Sequence, residues 1–270
     1  MKNVRKLTAL TRAGIIESLQ FRLGTAVTLF GNLIYLSLVY FLWKAIYDSS
    51  GTDVVNGMTF YDTMIYLILA TAIFNFLEMF IIWDMSRMVQ SGEIVMHLLK
   101  PMKYRLYTFW SYSGSHISLF FLTFLPTFIV VMIVTKGAIP LGWNLLGFVI
   151  SLVLALIINF NIEMLVAPIC LYTESTWGIN IVKETIVLLL SGATIPLVFF
   201  PESFRKVVEF LPFRAVYDIP LTILLKKDGS DSLEGLLPLI GLQLFWCVVL
   251  IIAGNLFWNH AVKRITVNGG

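Results

Sequence analysis

Between Leu23 and Trp43 the chain carries no charged residue, and stretches of this kind recur along its length. Thr63 to Trp83 is broken only by Glu78, and Leu106 to Thr135 only by His116. Gly137 to Ile162 has no charge at all, and Gly235 to Val262 has only His260 near its end. A shorter run, Thr185 to Pro201, lies between the last two. A helix crossing a bilayer needs roughly 20 apolar residues, so five runs are long enough and the Thr185 run is at the lower limit. Its helix is expected to begin upstream near Thr176, with Lys183 and Glu184 in its first turns. A soluble fold is excluded by the balance of residues, 58% hydrophobic and 13% charged. A water-soluble domain carries about a quarter charged residues, and a globule of this size leaves too much surface exposed to hide the excess.

The expected fold class is therefore all-α, a polytopic membrane protein with about six transmembrane helices, near 23–43, 62–83, 108–135, 141–163, 176–200 and 236–260. Trp43, Trp83, Trp110, Trp143, Trp177 and Trp258 all fall near these ends, where an amphipathic ring prefers to sit, and only Trp246 falls mid-span. Lys2, Arg5, Lys6, Arg12 and Arg22 precede the first span. Arg87, Lys100, Lys103 and Arg105 separate the second and third, and Lys263 and Arg264 follow the sixth. The short opposite loops offer Lys44 and Lys136, so both termini are expected in the cytoplasm. The first apolar run is too long for a cleaved signal peptide and has no small-residue cleavage site. The net charge of +3 sits in short clusters rather than a stripe, so no nucleic-acid partner is expected.

Three segments do not span. Residues 1–22 mix Val4, Leu7, Leu10, Ile15 and Leu19 with basic residues, as an interfacial helix on membrane lipid would, or a plain topology signal. Around 90–100, Ile94, Leu98 and Leu99 fall on one side of a short helix, Glu93 and His97 nearer the other, and Pro101 stops it. Such a knob can dock a cytoplasmic partner or simply connect two spans. After Ser191, Pro196, Pro201, Pro212 and Pro220 break up apolar pieces too short to cross, which reads as one or two re-entrant or interfacial helices capping the outer half. The domain division is a cytoplasmic helix at 1–22, one transmembrane domain at 23–262 and a cytoplasmic tail at 263–270.

Catalytic and nucleotide motifs are missing. No Gly-Lys pair exists to build a phosphate-cradling loop, and there is no His-Glu-x-x-His or Gly-x-Ser-x-Gly. The three histidines, His97, His116 and His260, are far apart in expected depth, which argues against a zinc site. Cys170 and Cys247 lie in or near apolar runs and read as small buried residues. The polar residues inside the spans are the candidates for a transport path: Asn75 and Glu78, which share a helix face, and Asn159, Asn161 and Glu163 in the fourth span. A structural hydrogen-bond role is the competing reading for each.

The order of segments resembles the six-helix permease subunits of bacterial type-2 ATP-binding-cassette (ABC) exporters. The resemblance is carried by the "G-E-I-x-x-x-L-L-K-P" helix from Gly92 to Pro101 and the "S-G-A-x-I-P-L-x-F-F-P" run from Ser191 to Pro201. The "L-P-F" at Leu211 to Phe213 and the closing Gly269-Gly270 extend it. It implies an exporter subunit of the bacterial plasma membrane that pairs with a second permease subunit, the same chain or a relative. Two cytoplasmic ATP-binding subunits would hold the ATP and Mg, so this chain would have no cofactor and no enzyme activity of its own. Gly92, Glu93, Ile94, His97, Leu98 and Leu99 would couple to those subunits, and Pro196, Pro201, Pro212 and Phe213 would belong to an outer gate. An amphipathic or hydrophobic substrate would leave the cytoplasm or inner leaflet. An ATP-independent transporter or channel should show matching broken helices in two halves, and a membrane-embedded enzyme should gather polar groups at one depth.

Single cysteines at Asp53, Lys136 and Asp228, with Cys170 and Cys247 replaced, should react with an impermeant thiol reagent outside intact cells. Cysteines at Lys6, Lys103 and Lys263 should not, and labelling at Lys103 would overturn the orientation.

Overall fold

The computed structural model describes residues 2–20, 22–137, 139, 142–173, 176–226 and 232–264. Asp228, Gly269-Gly270 and the rest of the tail beyond 264 lie outside the described residues. The regular secondary structure of those described is helical apart from one two-stranded hairpin. Five helices are long and apolar enough to cross a membrane: Leu23–Ser50, Phe60–Gln90, Tyr104–Val134, Trp143–Leu171 and Leu233–Ala261. The chain is an all-α polytopic membrane protein, as its uncharged runs require.

In chain order the elements open with α1 (Lys2–Gln20), α2 (Arg22–Ser50) and strands β1 (Val54–Val55) and β2 (Met58–Thr59). Then come α3 (Phe60–Leu77), α4 (Ile81–Gln90), α5 (Ile94–Leu98), α6 (Tyr104–Leu119) and α7 (Leu125–Val134). The rest is α8 (Trp143–Val166), α9 (Thr176–Leu190), α10 (Glu202–Phe210), α11 (Asp218–Leu224) and α12 (Leu233–Ala261). Asn56 and Gly57 both take positive φ, +49° and +81°, and so close the hairpin in two residues. The Tyr47 hydroxyl donates to the Met58 carbonyl at 2.9 Å, and Thr59 and Asp62 cap the start of α3 reciprocally. This hairpin end fixes where the second span begins.

The third span is one helix with a fault. Phe120–Phe124 widens to a π-turn between α6 and α7. Pro126 follows after Leu125; it has no N–H to donate to the carbonyl four residues back, and its ring crowds that carbonyl at normal helical pitch. The fourth and sixth spans run parallel. Gln243 donates to the Ser151 carbonyl at 3.1 Å and the Cys247 thiol to the Leu154 carbonyl at 3.7 Å, in ascending order on both helices. The chain must therefore return across the bilayer between them.

That return is not the continuous helix expected over 176–200. α9 has 15 residues and stops at Leu190, about 22 Å against a core of about 30 Å. Gly192, at φ +82°, turns the chain, and Pro196 and Pro201 block further helix. The chain then doubles through α10 and α11, and every residue of α11 is buried. Its polar groups and those of the turn leading into it are met from three sides. Tyr66 donates to the Asp218 carboxylate at 3.0 Å, Asn144 to the Leu224 carbonyl at 3.0 Å and Gln243 to the Ala215 carbonyl at 2.8 Å. This re-entrant packing keeps irregular backbone out of lipid. Pro196, Pro201, Pro212 and Phe213 stand at its joints: Pro196 is buried, Pro201 precedes α10, the Pro212 carbonyl accepts from Ala215, and Phe213 packs on the core.

α1 packs lengthwise on α6. At the crossing Gly14 faces Gly114, and a Cβ on Gly114 would sit 2.8 Å from the Ile15 nitrogen and 2.9 Å from the Gly14 Cα. These are backbone atoms that no rotamer change can move. Gly114→Ala should cost about 1–3 kcal/mol, as overpacking does, read as a lower melting temperature of the purified protein. Gly31→Ala, with nothing within 4 Å, should leave it unchanged.

Candidate functional site

Span two breaks after Leu77, and residues 78–80 join α3 to α4 without helical structure. Glu78 is extended, with φ −58° and ψ 129°. Neither proline nor glycine causes the break; partners on other spans hold it open. His116 Nδ1 lies 2.6 Å from the Phe76 carbonyl, and Asn159 Nδ2 donates to the Leu77 carbonyl at 2.7 Å. A carbonyl only accepts, so His116 carries a proton on Nδ1, and in the neutral imidazole this leaves Nε2 as an acceptor. That Nε2 is buried and has no partner.

Depth follows from counting. The 18 residues of α3 rise about 27 Å, nearly a whole hydrocarbon core. Glu78 therefore lies at the boundary of the core opposite the hairpin, further from its middle than a single 62–83 helix would put it. Trp143 to Asn159 on α8 and Val134 to His116 on the third span cover comparable heights. One polar layer results. Asn75 and Glu78 stay together in it, although Asn75 donates to its own helix at the Thr71 carbonyl, 2.8 Å away.

Asn159 and Asn161 separate. Two residues apart on a helix point to nearly opposite sides, and Asn161 instead accepts from Arg105, whose guanidinium fills the space left by Gly254. Asn161 belongs to a clamp between the third, fourth and sixth spans, on the side of α8 away from Asn159. The groups that sequence reasoning did not bring to this layer come from α9. Lys183 pairs with Glu163 across from α8, both nearly fully buried, and Asn180 donates to Glu184 at 2.8 Å. Their helix spacing was legible, but which span α9 would face was not.

A cavity of about 830 Å³ opens on this layer between α1, α4, α6 and α9. Asn75, Glu78 and His116 line it with Asn180 and Glu184. A cleft of about 30 Å³ behind Glu78 is lined by Asn159, Glu163 and Lys183. A second cavity, about 510 Å³, continues between α4, α5 and α6 toward His97 and Glu93. Asp84 bonds to both Arg87 and Tyr112 at the passage between the two larger ones.

The short helix expected near 90–100 is α5. Gly92, at φ +74°, ends α4 in the left-handed turn that glycine permits. Ile94, Leu98 and Leu99 do not share one outward side. Ile94 is buried in this chain's own core and Leu98 packs beside it, whereas Leu99 is 74% and Met96 65% exposed. His97 is half-buried and packs edge-on against Tyr104 and Tyr107, 3.7 Å from Glu93 and 3.2 Å from the Lys100 amine. With Ile94 and Leu98 four apart, one face must go inward, and here it is that one.

A bundle of spanning helices, broken beside a polar cavity and extended by a tethered knob, is the build of a membrane transport protein. Residues 33–269 match the family model described as ABC-2 family transporter protein, and the chain belongs to that family. No curated protein and no solved structure matches it.

Lys183→Met should destabilise the protein by about 3–5 kcal/mol, because Glu163 is left buried without its partner. Adding Glu163→Leu should restore most of the loss, measured by thermal unfolding in detergent. A double variant no more stable than the single would mean that the pair does not hold α9 to α8.

Proposed function

We propose that this permease is the membrane half of an exporter, driven by ATP hydrolysed on two separate cytoplasmic subunits docked at α5. The observation that carries the reading is the asymmetry of α5: Ile94 roots it in the permease while Met96 and Leu99 are left bare. Adjacent apolar side chains exposed at a helix end beyond the bilayer suit a partner's cleft. The face with α1, α5 and the basic residues is then cytoplasmic, both termini lie there, and the membrane is a bacterial plasma membrane. A second permease subunit completes the path. Asn75, Glu78 and Asn159 belong to its inner part, and the joints at Pro196, Pro201, Pro212 and Phe213 form the outer gate. The cargo is amphipathic or hydrophobic and leaves from the cytoplasm or inner leaflet. ATP and Mg stay on the partner, and the chain has no catalytic role of its own.

In this arrangement Glu93 and Leu99 meet the ATP-binding subunit, and Gly92, Ile94, His97 and Leu98 hold the knob in position. Met96→Glu with Leu99→Glu should leave the permease in the membrane, since no spanning helix is touched. Removing two apolar contacts worth about 1.5–3 kcal/mol each should lower ATPase activity co-purified with the permease at least tenfold and abolish transport. Ile94→Ala should instead lower the melting temperature of the permease alone. Normal transport by the double variant would make α5 a connector and remove the main support for this reading.

A further inference from the structure

We infer that the cavity beside the break in α3 binds the charged end of an amphipathic organic ammonium, an inference that rests on the exporter reading for this cation's role as cargo. The charge around the cavity is one-sided. Glu17, Glu78, Asp84 and Glu184 line it against a single base, Arg87, which is paired with Asp84. Lys183, whose amine bonds Glu163, is shared with Glu184 at 3.9 Å, so it is outnumbered by the two carboxylates it serves and leaves Glu78 to the cavity. Among the described residues no hydrogen bond or ion pair reaches the Glu78 carboxylate, whose residue bonds only through its backbone N–H.

A second, independent observation points the same way. His116 is 2% and Asn180 3% exposed, both line the cavity, and each keeps one buried polar atom without a partner. The atoms are His116 Nε2 and Asn180 Oδ1. With His116 Nδ1 and Asn180 Nδ2 already donating, both open atoms are acceptors. Buried acceptors are costly to leave unpaired, and an ammonium supplies N–H donors and positive charge together. A neutral ligand would leave the Glu78 carboxylate unmatched, and an anion would be repelled. A bare metal ion lacks ligands: no group of three His, Cys, Asp or Glu close enough to hold one occurs among the described residues.

The walls define the rest of the ligand. Trp83, Trp177, Tyr112 and Leu119 line the same cavity. Aromatic faces attract organic cations and give an apolar body somewhere to lie. At about 830 Å³ the space suits a drug-sized molecule, since such sites measure about 300–1,000 Å³. The layer lies at the edge of the hydrocarbon core, where an amphipathic cation partitions with its charge toward water.

The test uses the full-length permease with its ATP-binding subunits in lipid nanodiscs and two probes of the same shape. 1-Pyrenemethylammonium and 1-pyrenecarboxylate both accept energy from tryptophan, and Trp83 and Trp177 are in place to donate it. The ammonium should give saturable energy transfer and the carboxylate none. Glu78→Gln and Trp177→Ala should each weaken ammonium binding by about tenfold, the loss of one favourable contact of about 1.4 kcal/mol. Trp177 is 64% exposed, so its variant remains informative if Glu78→Gln fails to fold. Equal binding of the carboxylate, or unchanged affinity in the folded variants, overturns the site. ATP-driven release of the ammonium is read separately in proteoliposomes. Binding as expected without ATP-driven movement overturns the exporter reading and leaves the site standing.

Discussion

Backbone that leaves a helix inside a bilayer must find partners in the protein, and two carbonyls of this chain set the terms for much of the rest. Phe76 and Leu77 lose their intrahelical donors where α3 stops. Each unsatisfied group would cost several kcal/mol in hydrocarbon. His116 and Asn159 meet them from α6 and α8, and in doing so they fix three spans to one another at one height. The imidazole cannot serve Phe76 without orienting its other nitrogen away from it, toward space that no protein donor fills. One capping requirement thus produces both the rigidity of the layer and its open acceptor.

Height decides what such a layer can carry. A charge at the middle of the core costs about 2.5–3.5 kcal/mol on insertion scales, and less near its edge. Placing Glu78 about 27 Å from the hairpin end, with Glu163, Lys183 and Glu184 lining the cleft beside it, makes them tolerable without neutralising them all. The Lys183–Glu163 pair is the structural half of this set, sealed between α8 and α9. Glu78 and Glu184 are the other half, facing open volume. The same residue types take opposite roles according to whether a neighbouring helix closes over them.

Spans and fold class were legible because lipid leaves a one-dimensional record: a run without charge either reaches about 20 residues or does not. The shortness of α9 was partly legible, since Pro196 and Pro201 mark where helix must end, but α11 as a buried re-entrant helix depends on Asp218 meeting Tyr66 across 152 positions. The face of α5 was legible only as a pair. Ile94 and Leu98 sit four apart and share a side, yet periodicity is silent on whether that side meets the chain's own core or a partner. The break at Glu78 left no local sign, because its cause sits on α6 and α8. Asn75 with Glu78 followed from spacing; the separation of Asn159 from Asn161 needed the packing of Arg105 against Gly254.

On the proposed reading, these pieces join α5 to the cavity by the shortest route. α4 is a ten-residue helix, about 15 Å long, with α5 at one end and the non-helical joint at the other. A helix that length transmits displacement as a rigid body, whereas among the described residues the joint keeps one helical bond on each side, Glu78 N–H to Phe74 and Asp84 N–H to Phe80, with none crossing it to resist a change in angle. Movement of the ATP-binding subunits at Met96 and Leu99 would therefore appear at Glu78, not be absorbed on the way. α4 also carries Asp84, which with its partners Arg87 and Tyr112 lines both of the two larger cavities where they meet. Turning α4 about the joint shifts Asp84 relative to Tyr112 on α6 and Glu78 relative to Glu184 on α9. One rotation would thus alter the passage and the carboxylates facing the cavity together, as coupling ATP hydrolysis to release of a bound cation requires.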